Sequence, residues 1–192
     1  MTAAAAPAVP TAATAPTARW QTWLALAGGL LVFGGYNHAI LRNESLLARG
    51  DVVRLELAPV DPRAFLTGDY MRLDYALARE AARRHDAAAS GRRTPDAAAA
   101  AGRDAFAIVA VDADRVARLV RLQPAATPRA AGEHALLVRF RAGRARIGTD
   151  AWYFEEGTGK RLEAARYGEF RVGADGRTLL TGLLDAGRQP LP

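Results

Sequence analysis

Residues 52–59 read Val-Val-Arg-Leu-Glu-Leu-Ala-Pro, and from Val53 onward apolar and charged side chains alternate. Successive side chains of a β-strand point to opposite faces of the sheet. The alternation therefore indicates a strand with one buried face, and Pro59 ends it because proline has no amide proton to donate.

The same period predicts a second strand over residues 70–77, in which Leu73 and Tyr75 face the core and Tyr70 lies on the opposite face. Short apolar segments separated by turn sequences predict seven more strands and one short helix. The strands are expected at 105–111, 116–122, 135–141, 145–147, 152–154, 170–172 and 177–184, and the helix at 159–166. This pattern favours a mainly β domain over residues 46–188, a β-barrel or a sandwich-like fold with one or two short helices.

Residues 79–103 differ in composition from the rest of this domain. They are rich in Ala, Arg and Asp and contain no large apolar side chain. We expect an exposed insertion here, helical near residues 76–88.

The formal charge is +6, and Lys160 is the only lysine among 26 basic residues. The arginines are scattered, so nucleic acid is not an expected partner. The chain has no cysteine, which excludes disulfides and a thiol nucleophile. His38, His85 and His134 show no metal-ligand spacing, and no metal or cofactor is expected.

Residues 20–41 form an apolar segment without an acidic or arginine side chain. As a helix they span about 33 Å, enough to cross the hydrocarbon core of a lipid bilayer. No basic residue precedes the segment within residues 1–18, and its end is a poor cleavage site, so we predict an uncleaved transmembrane helix. Residues 1–19 are expected to be a disordered tail. The flanking charges nearly balance; the preferred orientation places the C-terminal domain outside.

Residues 68–75 read Gly-Asp-Tyr-Met-Arg-Leu-Asp-Tyr, and residues 154–160 read Phe-Glu-Glu-Gly-Thr-Gly-Lys. With residues 58–63 and 165–169, they make the chain similar to the bacterial GDYXXLXY protein family. The resemblance implies an N-terminal hydrophobic helix followed by a domain that carries both motifs. It also implies a place beside a multi-pass membrane protein of the bacterial inner membrane, with the domain in the periplasm. It implies no activity.

Two groups of residues around these motifs are candidate binding residues: Arg63, Asp69, Tyr70 and Tyr75 at the first, and Glu155, Glu156, Lys160 and Tyr167 at the second. At the first motif the functional interpretation is a polar groove for a peptide or a glycan. At the second it is a carboxylate site. The structural alternative is that these residues form turns, ion pairs and aromatic packing.

Two functions remain open from the sequence. The first is a membrane-tethered, non-catalytic binding or assembly domain in a membrane protein complex. The second is a cell-envelope hydrolase that uses the Glu155 and Glu156 carboxylates or a Ser45–Lys160 dyad. Membrane signal peptidases also place a serine just after their anchor, but the Ser-Met-x-Pro pattern is missing here.

Overall fold

The structure is a computed structural model that describes residues 19–58, 70–90, 104–127, 129–154 and 159–191. The helices within these ranges are α1 (Arg19–Arg49), α2 (Ala76–Ala89) and α3 (Gly159–Leu162). The strands are β1 (Asp51–Glu56), β2 (Tyr70–Arg72), β3 (Asp104–Val111), β4 (Ala117–Gln123), β5 (Glu133–Arg141), β6 (Arg144–Ile147), β7 (Ala151–Tyr153), β8 (Tyr167–Val172) and β9 (Thr178–Leu184). The expected mainly β fold with an apolar N-terminal helix is confirmed.

The strands form three antiparallel sheets, which are open and arranged in a sandwich-like manner. One sheet has the order β1-β8-β9, a second has the order β4-β3-β5-β6, and β2 pairs with β7 in a third. Arg54 connects β1 to the turn between β3 and β4, because its amide donates to the carbonyl of Arg115 at 2.7 Å. The core between the sheets is apolar and includes Phe170 and Val138, both fully buried.

β1 shows how the sequence determines the buried face. Val53 and Leu55 are fully buried, whereas Arg54 lies between them with its guanidinium 3.1 Å from Glu169 of β8. The predicted alternation is therefore confirmed over this strand. Burial of an aliphatic side chain contributes about 1.5–3 kcal/mol, so the two residues fix which face of β1 is turned inward.

Helix α1 is long and apolar enough to cross a membrane. The chain divides into two compact units after Arg42, and the first unit contains the predicted span. Nearly all side chains described in this unit are exposed, including the large ones of Trp23 and Phe33. The side-chain amide of Asn37 has a partner within the helix, since it donates to the Phe33 carbonyl at 2.8 Å.

The predicted strand at 70–77 is too long. It ends at Arg72, Tyr75 makes a single bridge with Leu57, and helix α2 begins at Ala76. Seven of the 14 residues of α2 are alanine, the strongest helix former, so local propensity favours the helix. The helix expected near residues 76–88 is confirmed, but the exposure expected from residue 79 onward is wrong over α2, because Ala81 and Ala88 are buried. Residues 91–103 lie outside the described ranges.

Helix α2 also protects one edge of the four-stranded sheet. Arg84 donates to the carbonyls of Val120 and Leu119 in β4 at 2.8 and 3.4 Å, and it also donates to the Glu80 carboxylate at 2.5 Å. An edge strand carries unpaired main-chain groups that attract other strands. The Arg84 guanidinium hydrogen-bonds two such carbonyls on β4, which are then less available to another strand.

The predicted helix at 159–166 is also shorter than expected and ends at Leu162. The reason is main-chain pairing: the amide of Arg166 donates to the Leu184 carbonyl, and the Arg166 carbonyl accepts from Leu57, both at 2.8 Å. These bonds draw the segment between β1 and β9, so β8 begins at Tyr167. The predicted hairpin around residues 173–176 is confirmed, since β8 and β9 pair across it.

The turn of this hairpin gives a test of the packing. Gly176 has φ +82°, and a Cβ atom there would lie 2.7 Å from the Phe106 ring. Gly132 has φ +80° with open space around it. We expect Gly132→Ala to destabilise the domain by roughly 1–2 kcal/mol through backbone strain. Gly176→Ala should lower the free energy of unfolding by about 1–3 kcal/mol more than Gly132→Ala does, because the Phe106 ring must move to make room for the Cβ atom.

The measurement is the urea unfolding midpoint of the full chain in detergent, followed by circular dichroism. Equal losses for the two substitutions would contradict the described packing of Phe106 over this turn.

Candidate functional site

A cleft of about 690 Å³ opens beside the second half of the first motif. Its walls are residues 72–75, one side of helix α2, and the segment from Gly143 to Ile147 that contains β6. This volume lies within the range of about 300–1,000 Å³ that is typical of ligand pockets. The cleft is therefore the candidate functional site of the domain.

The motif reaches the cleft because its residues alternate between the core and the surface. Met71, Leu73 and Tyr75 are buried, whereas Arg72 is exposed at the cleft. The amide of Leu73 donates to the carbonyl of Asp150 at 2.8 Å and so fixes the motif against the segment that follows β6. The prediction that Leu73 and Tyr75 face the core is confirmed.

Tyr75 closes the floor of the cleft and is 2 % exposed. Its hydroxyl donates to the Thr149 carbonyl at 3.2 Å, and its ring packs edge-on against Phe170 at a centroid distance of 5.4 Å. Burial raises the pKa of Tyr75 above its ordinary value, and the nearby Asp150 carboxylate raises this pKa further. The hydroxyl is therefore a neutral structural donor rather than an acid–base group at neutral pH.

The cleft is positively charged. Five arginines line it against three aspartates, which gives a net charge of +2. Two of the arginines are neutralised within the cleft: Arg79 lies 2.8 Å from Asp74, and Arg146 lies 3.1 Å from Asp150.

The other three arginines are Arg72, Arg83 and Arg144. Among the described residues they have no ion pair or side-chain hydrogen bond, and Arg72, Arg83 and Arg144 are all exposed. A guanidinium is always charged, and its planar fork matches carboxylate and phosphate groups. The arrangement therefore suits an anionic ligand.

Of the residues predicted at the first motif, Tyr70 and Tyr75 are described, and they are separated rather than gathered into one groove. Tyr70 is 44 % exposed on β2, and its ring lies 5.9 Å from that of Tyr153 on β7. Tyr75 lies in the core. Arg63 and Asp69 fall outside the described ranges, so their predicted binding role stays a prediction.

At the second motif, Tyr167 begins β8 and is half-buried opposite Glu56 and Leu184. Lys160 lies in α3, with a side chain outside the described part of the chain. Glu155 and Glu156 also lie outside the described ranges. The predicted carboxylate site therefore stays a prediction.

Ser45 lies in helix α1, where its hydroxyl accepts a hydrogen bond from Arg49 at 2.6 Å. A guanidinium stays protonated and is not a general base, so this contact does not activate the serine. Within the described ranges, no three His, Asp or Glu side chains form a group able to hold a metal ion. The hydrolase hypothesis stays a prediction without support from these contacts.

Sequence reasoning missed the arginines of the cleft. Arg79 and Arg83 fell in the expected insertion, and their i, i+4 spacing on one helix face is the signal that marks them. Arg144 and Arg146 alternate on β6, but the contact between β6 and α2 joins residues about 60 positions apart. Nothing local in the sequence indicates that contact.

The tyrosine at the cleft floor yields a prediction about alkaline pH. The folded protein holds the Tyr75 proton more tightly than the unfolded chain does. The contribution of this hydroxyl to the free energy of unfolding is therefore fully present below the unfolded pKa of about 10, and it is lost as the pH rises through the folded pKa. We expect Tyr75→Phe to cost about 1 kcal/mol at pH 7 through the lost hydrogen bond. The same variant should lose less stability than the natural chain from pH 10 upward.

Urea unfolding of the detergent-solubilised chain at several pH values provides the measurement. The control is Tyr153→Phe, since Tyr153 is 77 % exposed, and it should keep the alkaline slope of the natural chain. An unchanged slope in Tyr75→Phe would contradict the described burial of this hydroxyl.

One of three comparisons with known proteins gives a match. A family model described as GDYXXLXY protein matches residues 32–183. A search of curated proteins and a search of solved structures give no match. The matched region includes both motifs, the cleft and the end of the apolar segment. Because it covers most of the 192 residues, the chain belongs to the GDYXXLXY protein family.

Proposed function

We propose that this protein is a membrane-tethered, non-catalytic binding domain that holds an anionic segment of a membrane protein partner in the arginine cleft. The observation that carries the proposal is a set of three cleft arginines, Arg72, Arg83 and Arg144. They have no partner among the described residues, and they line the cleft together with residues 73–75. A cluster of like charges without counterions is unfavourable in isolation, and an anionic partner relieves that repulsion.

The membrane tether supports this assignment. Helix α1 is apolar over a length sufficient to cross a bilayer, and its side chains in the first unit are almost all exposed. A domain tethered in this way meets other proteins of the same membrane at a raised effective concentration. A binding site of moderate affinity is then sufficient for assembly, and a multi-pass protein is the proposed partner.

The proposed orientation places the amino terminus in the cytoplasm and the domain in the periplasm of a bacterial inner membrane. Alkaline phosphatase fused after Pro192 should then be active, because the enzyme needs an oxidising compartment to form its disulfides. Green fluorescent protein at the same position should be dark if it is exported unfolded. A fluorescent fusion together with an inactive phosphatase fusion would reverse the orientation.

The partner is tested by photo-cross-linking in intact membranes. A photoreactive amino acid replaces Ala82 in the cleft, and in a control chain it replaces Arg118, whose side chain is 81 % exposed on β4. We expect an adduct with a membrane protein from position 82 and none from position 118. Reversing two cleft charges with Arg72→Glu and Arg144→Glu should remove the adduct, because the cleft then repels an anion.

Mass spectrometry of the adduct identifies the partner, and immunoblotting confirms equal amounts of each variant in the membrane. The proposal is wrong if position 82 gives no adduct, or if the adduct survives both charge reversals.

A further inference from the structure

The edge of β6 that is turned away from β5 has no paired strand among the described residues, and it adds a feature that charge alone does not explain. β6 is the last strand of the four-stranded sheet and pairs with β5. The hairpin between the two strands turns on Ala142 and Gly143, whose φ values are 50° and 70°. Two successive residues in the left-handed region are the pattern of a two-residue type I′ turn.

This turn fixes the direction of the main-chain groups along β6. In a two-residue hairpin the residues that flank the turn, here Arg141 and Arg144, exchange hydrogen bonds with each other. The next residue along the strand points its amide and carbonyl the opposite way. Ala145, opposite Phe140, therefore directs both groups away from β5.

Ala145 is half-buried, and every residue from Gly143 to Ile147 lines the cleft, so the outward edge of β6 borders the cleft. Within the described part of the chain the amide and carbonyl of Ala145 have no hydrogen-bond partner. Ile147 has the same orientation, but it is 2 % exposed and is covered. The accessible edge is therefore short, one residue with a donor and an acceptor, and exposed arginines stand on both sides of it.

A bare anion satisfies arginines, but it does not offer a donor and an acceptor at the spacing of a peptide unit. An extended peptide main chain does, since β-strand addition pairs each outward residue of an edge with one residue of the ligand. The opposite wall of the cleft is helix α2, which presents the small side chains of Ala78 and Ala82 and leaves room for such a chain.

We infer that the ligand of this cleft is an extended acidic peptide segment that pairs its main chain with Ala145 of β6 and its carboxylates with Arg72, Arg83 and Arg144. The inference rests on the proposed function and names the chemistry of the partner segment. A strand of four residues is about 13 Å long, so a segment of four to six residues fits the wall formed by β6.

The test uses the full chain in a neutral detergent and an acetylated, amidated peptide of sequence Glu-Val-Glu-Val-Glu-Val, with binding measured by calorimetry. We expect saturable one-to-one binding. Each of Arg72→Gln, Arg83→Gln and Arg144→Gln should weaken it by about tenfold, the usual effect of losing one charge-assisted contact. Arg118→Gln, a substitution outside the cleft, should leave the affinity unchanged.

Main-chain pairing is tested separately by methylating the peptide nitrogens of the three valines and, in a second peptide, those of the three glutamates. Both ligands keep their charge, and one of them loses the donors that face β6. We expect at least one to bind about tenfold more weakly than the parent peptide.

Ala145→Pro removes the outward donor without touching a bond to β5, and proline is tolerated at such an edge position. This variant should also weaken the parent peptide.

The outcomes separate the inference from the proposed function. If both methylated peptides, or polyphosphate of equal charge, bind as tightly as the parent peptide to the natural chain, the cleft recognises charge alone and strand pairing is wrong. The cross-link from position 82 would then still stand.

If the parent peptide does not bind, or binds equally to all arginine variants, the acidic-peptide inference is overturned. If the cross-link is also absent, the proposed function fails with it. Equal melting temperatures by circular dichroism show that each variant is folded.

Discussion

The burial of Tyr75 is the constraint on which the organisation of the domain depends. Its ring packs against Phe170 and lies above Gly168, where a Cβ atom would come within 3.2 Å of the tyrosine ring. Its hydroxyl is held by the Thr149 carbonyl. One side chain thus joins β8, the segment after β6 and the start of helix α2. Because an unpaired buried hydroxyl is costly, these elements are coupled through it.

The same residue marks a change of backbone direction. Up to Arg72 the chain pairs with β7, and from Ala76 onward it is helical. The three residues between them connect two regular elements, and this is where the motif lines the cleft. Tyr75, which the family's motif specifies, is therefore structural, whereas Arg72 stands at one of the motif's variable positions and is open to solvent. One short sequence builds the floor of the cleft and supplies part of its charge.

The local sequence pattern was sufficient to predict that the strands exist and roughly which residues form them. The alternation at Val53 and Leu55 predicts a strand, and the sequence around Gly176 predicts a turn, each from a few adjacent residues. The helix expected near residues 76–88 agrees with α2, whereas the end of the strand expected at 70–77 and the length of α3 were predicted less well. In α2 the alanines outweighed a strand-like period, and in α3 pairing of Arg166 with β1 and β9 outweighed helix propensity. The cleft was not predictable from the sequence, because it is created by long-range packing of α2 beside β6.

The two edges of the four-stranded sheet differ in a way that matters for how copies of this protein behave at high concentration. Sheets from different molecules join into endless arrays when each offers two free edges, since every added molecule then exposes a new one. On β4 the guanidinium of Arg84 already holds the carbonyls of Leu119 and Val120. Growth through this sheet is therefore terminated at one end. A pair of molecules joined edge to edge is a closed product, and an open-ended fibre through this sheet is disfavoured.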